Sequence, residues 1–325
     1  MSKISIHTDI SEIQTERLPV PTKETIARLE LVEPGKIPNQ RTLILPDPGM
    51  TMIDMDLDRA DAQFVAWEAN DEPLKAILKA GEDLHLQNAK DIWGSHIQKK
   101  SPERQLAKVF CHAANYGAYP KKLARALGIT VKTAEWIYAR WFHLHPGIRD
   151  WHNRTRHQLA TERLVRNAFG YERYYFDRPE NVLNEALAWK PQSSVGIIIN
   201  TAWYNIDTHL KEVEVLMQVH DSLNMQCPSG LTRELLPKIE EQSLIIVPYD
   251  DPLIIPVGFK ISDISWGDVE AACCDELQKP AQPLIHYKDD KGIERVKGCK
   301  DHQLHSWLAT GLKNAQQKAL SQLAR

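Results

Sequence analysis

A chain of 325 residues with 42% hydrophobic content can bury one large core or two smaller ones, which excludes a disordered tail as its class. It has no run of 18 uninterrupted apolar residues, its opening MSKISIHTDI lacks the basic-then-apolar layout of a secretory signal, and its five cysteines form no CxxC, so a soluble protein with reduced thiols and no membrane partner is expected. The net charge of −3 conceals an uneven distribution: residues 96–175 carry fifteen Lys and Arg against five Asp and Glu, a balance of +10 that suits phosphate groups.

The first 49 residues are rich in Pro and polar side chains and hold one candidate helix near 22–32. MTMIDMDL (50–57) alternates like a strand entering a sheet, and ADAQFVAWEA runs on from it with helical spacing. Helices are predicted at 72–80, 83–93, 102–116, 119–127, 131–144 and 146–160, punctuated by Gly94, Gly117, Gly128 and Pro146. RLVRNAF and ERYYF pair as strands across Gly170, and a long helix follows over about 180–210. VEVLMQV (213–219) and SLNMQC (222–227) make a hairpin with His220 and Asp221 at its tip; 231–243 is helical and PVGFKIS extended. The tail from about 273 holds a hairpin around Asp290 to Gly292 and a helix from His302. This order fits an α+β sheet carrying a helical insertion.

Two constellations carry chemistry. Asp54, Asp56 and Asp58 alternate at a strand end, where period-2 geometry sets three carboxylates on one face, and the VHDS turn presents Asp221 at the tip of an apolar hairpin. Adjacent carboxylates repel unless cations intervene, and a few hard oxygens suit Mg²⁺, which completes its shell with water and substrate phosphates. The competing reading of the first three is solvated acids bordering a turn. The second constellation is Arg104, Lys108, His112 and Tyr116, four residues apart in RQLAKVFCHAANYG, which makes one slanted helical stripe, cationic at one end and aromatic at the other. Such a stripe grips a triphosphate and meets sugar and base, or is an exposed basic face with Tyr116 packed inward. Tyr171, Tyr174, Tyr175 and Phe176, with Arg166 and Arg173, read as strand-paired core aromatics in preference to a base-stacking platform. Cys273, Cys274, Cys299 and His302 match no common zinc spacing and read as surface thiols of an appended module.

DLDRADAQFVAW resembles motif A of the family A, DNA polymerase I-like, DNA polymerases; RQLAKVFCHAANYG resembles their motif B and LMQVHDS their motif C, in the same order and at similar separations. GEDLHLQNAKDIWG resembles the fingers segment with a phosphate-binding histidine, and LARALGI and HPGIRDWHNRT resemble the stretches after motif B, so the likeness spans roughly residues 38–270. It implies an α+β fold of an antiparallel palm sheet with a mostly helical fingers insertion, a right-hand architecture lacking a full thumb. The implied division is a lead-in (1–37), palm (38–69 and 161–270), fingers (70–160) and an appended C-terminal hairpin-helix module (271–325).

The implied activity is template-directed DNA synthesis, transferring dNMP from a dNTP to the 3′-hydroxyl of a primer-template DNA. Asp56 and Asp221 are then the ligands of two Mg²⁺ ions, for which Mn²⁺ is an expected substitute, with the backbone carbonyl of Met55 or Leu57 nearby and Asp54 and Asp58 as bystanders. Arg104, Lys108 and His85 contact the triphosphate, Lys108 also giving a proton to pyrophosphate, and Tyr116 closes over the nascent base pair. Gln192 reaches the minor groove, His220 sits by the primer end and Arg41 contacts the minor groove. Three positions depart from the family pattern: Asp61 stands where a glutamate usually screens the ribose 2′-hydroxyl, His112 replaces a Phe or Tyr beside the sugar, and Ser222 replaces a glutamate after the motif C aspartate. A thumb and a proofreading exonuclease would precede residue 38, so a separate protein supplying them, or weak processivity, is expected. The abbreviated form suggests the cytoplasm of a bacterial cell or phage-infected host. Two other readings stay open: a catalytically weak, DNA-binding replication accessory protein and a single-subunit RNA polymerase relative.

Overall fold

The computed structural model describes residues 39–271 and two short strands, 285–288 and 294–297. The candidate helices near 22–32 and from His302, and the Cys273, Cys274, Cys299 and His302 group, lie outside the described residues. A 3₁₀ turn (Gln40–Leu43) leads to β1 (Met50–Leu57), and Arg59, at φ +51°, turns the chain directly into α1 (Ala60–Glu68). Then follow α2 (Glu72–Lys79), α3 (Leu84–Trp93), α4 (Pro102–Asn115), α5 (Pro120–Leu127), α6 (Val131–Leu144) and α7 (Pro146–Thr161). Next come the β2 (Leu164–Arg166) and β3 (Glu172–Tyr174) hairpin, the long α8 (Pro179–His209), β4 (Glu214–Val219), β5 (Ser222–Pro228) and α9 (Thr232–Ser243). The short ladder of β6 (Ile246–Val247) and β7 (Leu253–Ile254) precedes β8 (Val257–Ser262) and β9 (Glu270–Ala271); β10 (Ile285–Lys288) and β11 (Glu294–Lys297) form the expected tail hairpin.

These boundaries follow from local chemistry. Pro at the first turn of α4, α5 and α7 gives up no hydrogen bond there. Asp71, Asp83 and Thr130 cap α2, α3 and α6 by accepting backbone N–H bonds. Gly128 ends α5 in the left-handed conformation that glycine adopts without strain.

The described residues divide into two compact units, one falling within 1–56, 206–239 and 258–309 and the other within 57–205, 240–257 and 310–325. The first is built on a five-stranded sheet of order β4-β5-β1-β8-β9, in which β1 and β4 both pair antiparallel with β5. Met52, Ile53 and Met55 of β1 are fully buried, as are Leu223, Met225 and Cys227 of β5, so both faces of the sheet centre are covered.

The second unit is mostly helical. Trp141, Trp151, Phe64 and Phe110 are fully buried, each removing a large apolar surface from water at a gain of about 2–3 kcal/mol. One buried polar pair joins its helices: the Asp71 carboxylate receives the Leu74 N–H at 3.1 Å and lies 2.8 Å from His145 Nδ1, while the His145 ring lies tilted against that of Trp141, 4.1 Å between centroids. Gly147 is required beside this pair, because a side chain there would press into the Ala69 carbonyl and Asp71. Among the described residues no helix is long and apolar enough to cross a membrane.

Candidate active site

In the sheet unit, register brings two of the predicted acids together. Asp56 is the cross-strand partner of Ser222, so Asp221 sits one residue before the position facing Asp56, at the same end of adjacent strands. The β4–β5 hairpin closes with two residues, His220 and Asp221, between the paired Val219 and Ser222. His220 takes φ +57°, in the left-handed region usually left to glycine, and its Nδ1 lies 3.0 Å from Asp221 Oδ1. The Ser222 hydroxyl donates to the Val219 carbonyl at 2.8 Å and tightens the turn. Asp56 is exposed and Asp221 partly exposed, so neither carboxylate bears the full cost of desolvation. Two accessible carboxylates on a fixed backbone suit a divalent ion that keeps most of its water. Met55, buried, points its side chain to the opposite face from Asp56, and Leu57 ends the strand. Among the described residues no cluster of three or more His, Cys, Asp or Glu gathers as a closed metal cage.

The expected row of three carboxylates on one face does not form. The strand stops at Leu57, and Asp58, beyond it, chelates the Arg59 guanidinium at 2.7–3.1 Å. Asp54 shares the face of Asp56 but is buried, paired across the ladder with Asn224. Burial raises its carboxyl pKa, against the lowering pull of Lys260, Trp266 and Arg41. The Trp266 indole and the Asn224 amide approach Asp54, yet neither reaches hydrogen-bond geometry with its Oδ1. Arg41 is exposed and lays its guanidinium 4.3 Å over the Trp266 ring.

In the helical unit, α4 carries the cationic stripe. Arg104, Lys108 and His112 lie on one side of the helix, and Tyr116 caps its C-terminus with its ring edge-on to His112 at 5.1 Å. The end of α4 is pinned by Asn115, whose side chain accepts the Trp141 indole N–H at 3.0 Å and whose carbonyl lies 2.7 Å from His152 Nε2. Gly117 follows at φ +81° with the Asn184 side chain packed against it, leaving no room for a methyl group. Asp61, His85, Asn88, Lys108, Cys111 and His112 are among the residues lining a small open cleft of about 40 Å³ between α1, α3 and α4. Burial, then the charges of Lys108 and Arg104, holds the His85 imidazole below its usual pKa, so it is neutral at pH 7. Burial and the neighbouring Asp61 carboxyl hold the Tyr116 phenol far above its usual range.

Arg104 does not stand alone as the spacing suggested. Its Nε and Nη2 grip both oxygens of Asp83 at 2.8–3.3 Å, a contact the sequence reading missed although an acid two residues before His85 and just ahead of LHLQ is a legible helix cap. Gln192 is exposed on α8, next to the buried Pro191. The aromatic group departs from expectation: Tyr175 is buried, but Tyr171, Tyr174 and Phe176 are exposed, because the three-residue ladder of β2 and β3 covers only one side. Of the five cysteines, Cys111 and Cys227 fall within the described residues, and both are buried free thiols.

The sequence profile of DNA polymerase family A matches residues 9–257. A thermostable DNA polymerase I of Thermus filiformis is 27% identical over 228 residues, covering 67% of this chain and 27% of that protein. DNA polymerase I of Mycobacterium leprae is 28% identical over 224 residues (65% of this chain, 24% of that protein), and the DNA polymerase of Mycobacterium phage D29 is 24% identical over 236 residues (71% and 37%). The chain thus spans roughly a quarter to under two fifths of these relatives' length. Among solved structures, the POL domain of Pol1 from M. smegmatis, in complex with DNA primer-template and dNTP, superposes with a TM-score of 0.65 at 22% identity, covering 80% of this chain and 45% of that one, which establishes a shared fold.

Proposed function

This chain belongs to DNA polymerase family A, and from that membership we propose that it carries the palm and fingers of a DNA-directed DNA polymerase, extending a primer annealed to a DNA template with dNTPs. The observation that carries the reading is the pairing of β1 with β5, which sets Asp56 and Asp221, far apart in sequence, at one end of neighbouring strands.

Asp56 and Asp221, with the carbonyl of Met55 or Leu57, would hold two Mg²⁺, or Mn²⁺ in their place. Such ions lower the pKa of the primer 3′-hydroxyl and offset charge on the departing pyrophosphate. The new bond joins the 3′-oxygen to the α-phosphorus as the bond to the pyrophosphate oxygen breaks, and the 3′-hydroxyl proton passes to water. Arg104, Lys108 and His85 hold the triphosphate oxygens, and Lys108 Nζ gives its proton to pyrophosphate. Tyr116 covers the nascent base pair, and Asp61 and His112 face the sugar, the shorter acid and the imidazole setting sugar selectivity in place of the glutamate and aromatic ring found in the family pattern. Gln192, Arg41 and His220 contact the DNA. The division into palm (38–69, 161–270) and fingers (70–160) belongs to the same reading.

Primer extension by the purified chain, with dNTPs and separately with NTPs, is the test. Extension with dNTPs that vanishes in Asp56→Ala and Asp221→Ala, while DNA binding persists, supports the reading. Preferred NTP incorporation would assign an RNA polymerase relative, and DNA binding without extension would assign the accessory role.

A further inference from the structure

Asp83 and Arg104 join the start of α3 to α4 by a side-chain contact beside the cleft. Asp83 is fixed twice over: its Oδ1 accepts the Leu86 N–H at 3.0 Å as the cap of α3, and both of its oxygens meet Nε and Nη2 of Arg104 on α4. This side-on fork immobilises the guanidinium plane and engages only the Nε edge, leaving Nη1 outside the contact. Both side chains are about one quarter exposed, so the pair is shielded and still reachable by a ligand. Burial by itself would raise the Asp83 carboxyl; the Arg104 fork and the Leu86 N–H outweigh it and keep the group below the usual carboxylate range, ionised at any working pH. The same helix cap leads into His85, which lines the cleft together with Lys108.

We propose that Asp83 is a positioning residue for the incoming nucleotide: it acts through Arg104, holding the free edge of that guanidinium toward the triphosphate, and does not itself touch substrate. The proposal rests on the polymerase reading for the identity of the ligand. An unanchored arginine has several rotatable bonds to order on binding, and a fork that orders it beforehand moves that cost out of the binding step.

Asp83→Asn is the informative variant, because asparagine caps a helix as well as aspartate does and keeps the shape while removing the charge on which the fork depends. Calorimetric titration of a dNTP with Mg²⁺ into the full-length wild type, D83N, R104A and the double variant decides it. D83N is expected to weaken dNTP binding about tenfold, the loss of a hydrogen-bonded charge pair, and the double variant to bind no more weakly than R104A, because Asp83 acts only through Arg104. In steady-state extension the same change appears as a raised KM for dNTP with a smaller change in kcat. D83N binding within twofold of the wild type, binding more tightly, or adding its loss in full to that of R104A would overturn the proposal. A wild-type chain that binds dNTP but does not extend a primer would overturn the polymerase reading, with the binding cycle still deciding the role of Asp83.

Discussion

The acids of the sheet unit and the cationic stripe of the helical unit are specified in different ways by the chain. In the sheet unit, Asp56 and Asp221 are placed by main-chain hydrogen bonds: a ladder register and a two-residue turn that forces His220 to φ +57°. In the helical unit, helix geometry gives the spacing of Arg104, Lys108 and His112; a side-chain contact with Asp83 aims Arg104, and Trp141 and His152 hold the end of the helix through Asn115. A backbone-placed acid has few ways to be partly wrong, whereas a side-chain-aimed cation degrades in steps. The acids should therefore respond to substitution nearly all-or-none and the cations gradually.

The largest expected effect tests that contrast. Asp56→Ala or Asp221→Ala should each lower the rate of primer extension at least 1,000-fold, about 4 kcal/mol in barrier, with primer-template binding held within a few-fold because phosphate contacts dominate it. Lys108→Ala should cost about 100-fold in single-turnover rate, roughly 2.7 kcal/mol, and a bulky amine buffer should recover part of that loss if the ammonium acts as a proton donor. Equal losses at all three positions would erase the distinction. Gly117→Ala should destabilise the fold by about 2 kcal/mol in denaturant titration, since the methyl group meets Asn184 and the backbone is left-handed. His220→Gly should do the opposite, adding about 1 kcal/mol of stability by relieving the strained turn while impairing extension. A stabilised variant with full activity would mean that the His220 side chain plays no part in extension.

Much of the fold was legible. The helices from α2 to α7 fall within a residue or two of their predicted spans, because their ends carry Pro, capping Asp or Thr, and Gly, which act locally. The β4–β5 hairpin was equally readable, since alternating apolar residues flank a polar pair. The short β6–β7 ladder escaped notice: two-residue strands carry no period, and their segment is held by the Trp67 indole bonding to the Asp251 carbonyl and by Tyr249 bonding to Glu68. The aromatic hairpin was misjudged for a related reason, because the sequence shows which residues alternate but not whether a second layer covers the outward side.

By itself the sequence determined the order of the elements apart from the β6–β7 ladder, the motif spacing, and the two acids and four-residue stripe that carry the functional reading, all of which depend on contacts within a few residues along the chain. Only the tertiary structure decided that Asp54 is buried while Asp56 on the same face is exposed, that Asp58 turns to Arg59, and that Arg104 is anchored by Asp83. Those outcomes depend on which distant segment lies against each side chain, and a carboxylate becomes a ligand, a bystander or an anchor according to the water and charge that its neighbours leave around it.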